Sequence, residues 1–145
     1  MTEPKKERLN ILLVEDDDGD AKAVKRAFSR EKIANQIVRA EDGIEALELL
    51  RGQNGKEKLP SPFIILVDLN MPRMGGIELI EEIRNDAELN KSIIFVLTTS
   101  KSEEDKVSSY ELNVAGYIVK ETAGRDFLEL SKLIDNYWLL VELPE

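Results

Sequence analysis

The 145-residue sequence contains no cysteine and no histidine. Disulfides, thiolate or imidazole metal sites, and Cys- or His-dependent catalysis are therefore excluded. Aromatic residues are scarce, at 6% with a single tryptophan. Basic residues are in deficit, 20 against 29 acidic, and the net charge of −9 argues against a binder of phosphate backbones. The same charge suits a hard cation or a basic partner surface. No apolar run approaches the roughly 20 residues of a spanning helix. Residues 1–8 are charged and lack an apolar stretch, so neither a signal peptide nor a membrane anchor is expected. The expectation is a soluble cytoplasmic protein without a nucleic-acid or membrane partner. Any chemistry must use carboxylates, hydroxyls and lysines.

The length and the 42% hydrophobic content suit one compact domain. It is expected over residues 9–141, with a disordered arm over 1–8 and a short tail over 142–145. Its most apolar run, Phe63-Ile64-Ile65-Leu66-Val67, reads as a strand buried on both faces, and Asp68 at its end is poorly explained by packing. Along the chain, Ile11-Leu12-Leu13-Val14 reads as a buried strand opening into Glu15-Asp16-Asp17-Asp18-Gly19-Asp20. Ala21, Val24, Ala27 and Phe28 then recur at helical spacing. A weaker edge strand over 36–39 precedes a capping-box pattern at Asp42 to Glu45, and Ala46, Leu47, Leu49 and Leu50 form a helix face that stops at Gly52. The stretch from Gly52 to Pro62 is a long surface loop. After Asp68, Gly75 and Gly76 lead into a helix with Ile77, Ile80 and Ile83 on its apolar face. Residues 93–97 form another buried strand, ending in Thr98-Thr99-Ser100. The next helix, capped by Ser102 and Asp105, offers only Val107, Tyr110 and Leu112 as sizeable apolar residues, so it is a candidate for movement. Gly116-Tyr117-Ile118-Val119 is a last strand ending at Lys120, and an amphipathic helix is expected from about Gly124 to about Val141.

Five strands alternating with five helices imply an α/β fold: a flavodoxin-like, doubly wound (βα)5 domain whose five-stranded parallel sheet runs in the order 2-1-3-4-5. Ligands of such sheets bind outside the carboxyl ends of the strands. Glu15 and Asp16, Asp68, Thr98 and Lys120 all follow strands, so this architecture gathers residues remote in sequence into one crevice. Three carboxylates converging without histidine or cysteine repel one another unless a cation neutralises them, and all-oxygen ligation selects magnesium, manganese or calcium. A small site with few carboxylates favours Mg²⁺, with Mn²⁺ as the alternative. One carboxylate beside such a metal can act as a nucleophile toward phosphorus. Lys120 and the metal then offset charge on the phosphoryl oxygens while the Thr98 hydroxyl donates to one of them. The reaction expected is phosphoryl transfer onto Asp68.

At these residues the chain resembles the response-regulator receiver domain of two-component signalling. The likeness spans about Leu9 to about Tyr137. It rests on the acidic pair after the first strand, Asp68-x-Asn70-Met71-Pro72-x-Met74-x-Gly76, Thr98, and Tyr117-x-x-Lys120. The resemblance implies that Asp68 is the phosphoacceptor and that Asp16 and Asp68 bind Mg²⁺ directly. It also implies that Glu15 contacts the metal through water and that Asn70 contributes its backbone carbonyl. Thr98 and Tyr117 are implied as a switch pair, the ring moving inward as Thr98 turns to the phosphoryl group, and Lys120 as the partner of the phosphoryl oxygens. The donor implied is a phosphohistidine on a sensor histidine kinase or a phosphotransfer protein. Self-phosphorylation and autodephosphorylation are the only chemistry implied, without a separate catalytic output domain, and the downstream target is a protein.

In two places the chain departs from the family pattern. Glu121 follows Lys120 where the family usually has a cis proline, which puts the placement of Lys120 in doubt. Asp17 and Asp18 enrich the acidic turn and read as solvated turn residues. On the last helix, Phe127, Leu130, Ile134, Tyr137 and Val141 are expected on the core face. Leu128, Trp138, Leu139 and Leu140 are left over as a partner surface. The Tyr137-Trp138 and Leu143-Pro144 tail, the Leu97-Thr98-Thr99-Ser100 run and the long loop look like the stand-alone receivers serving bacterial phytochrome-type histidine kinases, several of which are homodimers. Three alternatives stay open. A flavodoxin-type electron carrier is disfavoured by carboxylates at the first turn, and a haloacid-dehalogenase-type phosphatase by Asn70 in place of a second aspartate. The third is a receiver-shaped adaptor working without phosphorylation.

Overall fold

The structure is a computed structural model in which residues 9–31 and 34–140 are described. The expected arm over 1–8, Val141 and the tail over 142–145 lie outside the described residues. The chain runs β1 (Leu9–Val14), α1 (Asp18–Glu31), β2 (Ala34–Ala40), α2 (Gly43–Arg51), β3 (Phe63–Val67), α3 (Gly76–Arg84), β4 (Ile93–Thr98), α4 (Glu103–Glu111), β5 (Gly116–Val119) and α5 (Leu128–Leu140). The strands form one sheet in the order β2-β1-β3-β4-β5, and all four pairings are parallel.

The two-residue period of the strands divides their apolar side chains between two cores. Ile11, Leu13, Ile64 and Leu66 point to one face, where Val24 and Phe28 of α1 and Ile134 of α5 pack on them. Leu12, Val14, Ile65 and Val67 point to the other, under Leu47 and Leu50 of α2 and Ile80 and Ile83 of α3. Burial on both faces explains why residues 11–14 of β1 and all of β3 are continuous apolar runs.

Local chemistry sets the helix ends. Asp42 caps α2 by accepting from the Glu45 N–H at 2.9 Å, while Glu45 reaches back to the Glu41 N–H at 2.9 Å, and Gly52 ends the helix in the left-handed region at φ 67°. On α3, Leu79 joins Ile80 and Ile83 in the core, and Ile77 sits half-buried at its margin. Ser102 caps α4, as expected, and Ser109 is the one buried residue among those assigned to that helix; Val107 and Tyr110 face outward.

The last helix differs from the expectation. Lys120–Thr122 and Arg125–Phe127 are short 3-10 turns, and α5 starts only at Leu128. Gly124 has φ 88°, and a Cβ there would lie 2.8 Å from the Glu129 backbone nitrogen, so the chain changes direction where only glycine fits. Leu130 and Ile134 are buried as expected, Phe127 joins the same core from the preceding turn, and Trp138 rather than Tyr137 completes the stripe at four-residue spacing. Trp138 is thus 9% exposed and part of the core with Phe28 and Ile134, not part of an outward surface. Tyr137 flanks this stripe, half-buried, with its ring edge-on to Phe95 at 5.2 Å between centroids. Of the other three residues assigned to a partner surface, Leu128 is half-buried, whereas Leu139 and Leu140 are exposed.

Candidate functional site at the carboxyl edge of the sheet

Backbone pairing carries two of the acids one residue beyond their strands. The Glu15 N–H donates to the Ala40 carbonyl at 2.9 Å and the Asp68 N–H to the Val14 carbonyl at 3.0 Å. Both residues therefore lie within the protein edge, Glu15 1% and Asp68 5% exposed, while Asp16 opens to solvent. One carboxylate oxygen from each of Glu15, Asp16 and Asp68 falls within 4.8 Å of the others. Asp17 and Asp18 stand outside this group. Asp17 caps α1, accepting from the Asp20 N–H at 2.7 Å. Asp18 binds the Arg39 guanidinium at 2.7 Å, which holds its carboxyl below the usual range.

Lys120 comes from the far side of the crevice, its side chain 10% exposed. Its ammonium lies 2.7 Å from Glu15 Oε1, 2.7 Å from Asp20 Oδ2 and 3.5 Å from Asp68 Oδ2. Ser61–Pro62 is the one cis peptide bond among the described residues, so the Lys120–Glu121 bond is trans, and Lys120 reaches the acids nonetheless. Burial disfavours its ammonium, but the hydrogen-bonded carboxylate of Asp20, the ion-paired carboxylate of Glu15 and the charge of Asp68 outweigh this and raise its pKa. Glu15 is pushed up from 4.5 to about 7, first by burial and then by the neighbouring Asp68 charge, against the opposing pull of Lys120.

Thr98 is fully buried at the end of β4, and its hydroxyl accepts from the Ser100 N–H at 3.3 Å. The Tyr117 hydroxyl donates to the Ser100 carbonyl at 2.9 Å, with the ring half-buried against the α2–α3 side of the core. Thr98 and Tyr117 therefore meet at one residue of the β4–α4 loop. Ser100 in turn donates through its hydroxyl to Asp105 in the first turn of α4, at 2.6 Å. Glu121 pairs with Lys101 of the same loop, both exposed.

The β3–α3 loop carries Asn70, whose N–H makes a long 3.4 Å contact to Asp68 Oδ1. Arg73, at φ 65°, donates to both oxygens of Asp42 at 2.7 and 3.0 Å, and the Gly43 N–H donates to the Met74 carbonyl. The loop is thus tied to the start of α2. Gly76 lets α3 begin close beneath the acid, because a Cβ there would lie 2.5 Å from the Asp68 carbonyl oxygen. Asp20, Arg39 and the Asp42–Arg73 pair were not singled out as site residues from the sequence. The only signal for Asp20 was its place one helical turn after Asp16.

The response regulator receiver domain model matches residues 11–132, most of the chain. The chain belongs to this family. Among characterised relatives, the receiver domain is 36% identical over 135 residues to response regulator Rcp1 of Synechocystis sp., covering 92% of each chain. Among solved structures it is similar to the phosphorylated cyanobacterial phytochrome response regulator RcpA, with TM-score 0.85 and 33% identity over 95% of this chain and 99% of that one. The Mn²⁺-bound form of Rcp1 matches with TM-score 0.83 and 36% identity over 94% and 99% of the two chains. Membership places the protein among the receivers of two-component systems.

The acidic group suits a divalent cation on its own chemistry. Its donors are all oxygens, and Glu15 Oε1 is buried without an aligned hydrogen bond, although Lys120 lies at ion-pair distance. An under-satisfied buried carboxylate oxygen facing two further carboxylates is what a hard cation would complete.

Proposed function

We propose that this protein is a response regulator that accepts a phosphoryl group on Asp68 from a phosphohistidine of a sensor histidine kinase and signals through a changed protein-interaction surface. The observation that carries it is the buried Asp68 carboxylate at the end of β3, grouped with Glu15 and Asp16 and within reach of Lys120. In the reaction an Asp68 oxygen attacks phosphorus, the donor's N–P bond breaks, an acyl phosphate forms, and the released imidazole takes up a proton. Asp16, Asp68 and the Asn70 carbonyl, with Glu15 through water, would hold Mg²⁺, which when bound neutralises charge on the phosphoryl oxygens. Lys120 supplies a second positive charge to those oxygens, and the Thr98 hydroxyl turns from Ser100 to donate to one of them. Because Tyr117 and Thr98 share Ser100, this turn is transmitted to the β4–α4 loop and to weakly anchored α4.

Similarity to Rcp1 and RcpA supports a phytochrome-type kinase as the donor. Leu139 and Leu140, exposed on α5, support a surface for a second copy or a downstream protein. The setting proposed is the cytoplasm. The test is incubation with acetyl phosphate and Mg²⁺ and detection of an acid-stable, base-labile aspartyl phosphate. The wild type is expected to be labelled and Asp68→Asn not; equal labelling of both would sink the proposal.

A further inference from the structure

Lys120 has one carboxylate partner that lies outside the proposed metal site. Its ammonium makes a well-formed hydrogen bond of 2.7 Å to Asp20 Oδ2. The contact to Glu15 Oε1, also 2.7 Å, leaves that oxygen without an aligned hydrogen bond, and the one to Asp68 is stretched to 3.5 Å. Glu15 and Asp68 belong to the trio of converging carboxylates, whereas Asp20 does not. A divalent cation and the ammonium therefore compete for the same two residues, and as like charges they repel at close range. Asp20 is the partner that Lys120 keeps for itself.

We propose that Asp20 is a positioning residue that holds Lys120 toward α1, off Asp68, and so keeps the ammonium from settling among the three carboxylates where a divalent cation would bind. The proposal rests on the trio being a metal site. The first turn of α1 carries Asp20 one helical turn beyond Asp16, and the cap from Asp17 fixes its backbone N–H at 2.7 Å. Its side chain is 35% exposed, so it reaches the ammonium from the solvent side of the crevice. With Asp20 replaced by asparagine, the ammonium settles between Glu15 and Asp68 and takes the place of the metal. With Lys120 gone, Asp20 has nothing to hold. The Asp20 hydrogen bond gives the Lys120 side chain an anchor on α1.

The test is calorimetric titration of the full chain with Mg²⁺ and Mn²⁺, the fold of each variant being checked by circular dichroism. Asp20→Asn is expected to weaken binding about tenfold, the scale of coupling between neighbours in one ion-pair network. Lys120→Met is expected to tighten binding by removing the competing cation. In the Lys120→Met background, Asp20→Asn is expected to change affinity by less than about twofold at physiological salt, because screening weakens its direct pull on the metal. Asp20→Glu is expected to restore most of the wild-type affinity. An Asp20→Asn effect of equal size in both backgrounds overturns the proposal, because the charge would then act on the metal directly, and an unchanged affinity overturns it too. A wild type that binds neither cation overturns the metal-site reading and this proposal together, whereas failure confined to the Asp20 comparison overturns this proposal alone.

Discussion

Glu15 shows how a single side chain carries the tension of the site. Its carboxylate is buried beside Asp68, and its pKa rises from 4.5 to about 7. Protonation is thus easier in the folded chain than in the unfolded one, and the associated stability is fully present below pH 4.5 and lost as pH rises through about 7. In chelator, the melting temperature is expected to fall between these pH values, and Glu15→Gln is expected to flatten that fall; an identical pH profile in the variant would contradict the assignment. At the backbone, Gly76→Ala places a methyl 2.5 Å from the Asp68 carbonyl oxygen. Overpacking of this kind costs about 1–3 kcal/mol, so a denaturant midpoint below that of the wild type is expected.

Among the elements, α4 is as weakly anchored as its sequence pattern implies, and α5 is where pattern and structure differ. Helix α4 has one buried residue, and its apolar side chains Val107 and Tyr110 face outward, so hydrogen exchange of its amides is expected to be faster than that of α1 or α3. For α5 the difference concerns which stripe meets the sheet. The expected stripe of Phe127, Leu130, Ile134 and Tyr137 reaches the core at its first three members, although Phe127 does so from the turn before the helix, and in the last turn Trp138 is buried more deeply than Tyr137. Trp138 consequently lies in the core, and Trp138→Ala is expected to cost about 3–5 kcal/mol in urea unfolding. Leu140, 84% exposed, is expected to change stability by less than about 0.5 kcal/mol when replaced by alanine. Comparable losses at the two positions would refute the packing of α5.

At the scale of the whole molecule, the proposed self-association through α5 is open to a direct test. Leu139→Glu with Leu140→Glu is expected to shift a dimer to monomer in sedimentation velocity while leaving acetyl phosphate labelling of Asp68 intact. A wild type that sediments as a monomer at micromolar concentration would remove the dimer from the proposal.

The sequence by itself determined the parallel sheet, because strands buried on both faces must be written as unbroken apolar runs, and Ile64 to Val67 and Ile94 to Val96 are such runs. It also marked Glu15, Asp16, Asp68, Thr98 and Lys120, because a polar residue that ends an apolar strand has no packing explanation. Tertiary structure alone decided which other groups meet them. Asp20 and Lys120 are a hundred residues apart and hydrogen-bond only because α1 and the end of β5 border one crevice. Arg73 finds Asp42, and Trp138 finds the core, for the same reason. Periodicity records which side of an element is apolar. It does not record where a turn at Gly124 begins the next helix or which distant carboxylate an ammonium meets.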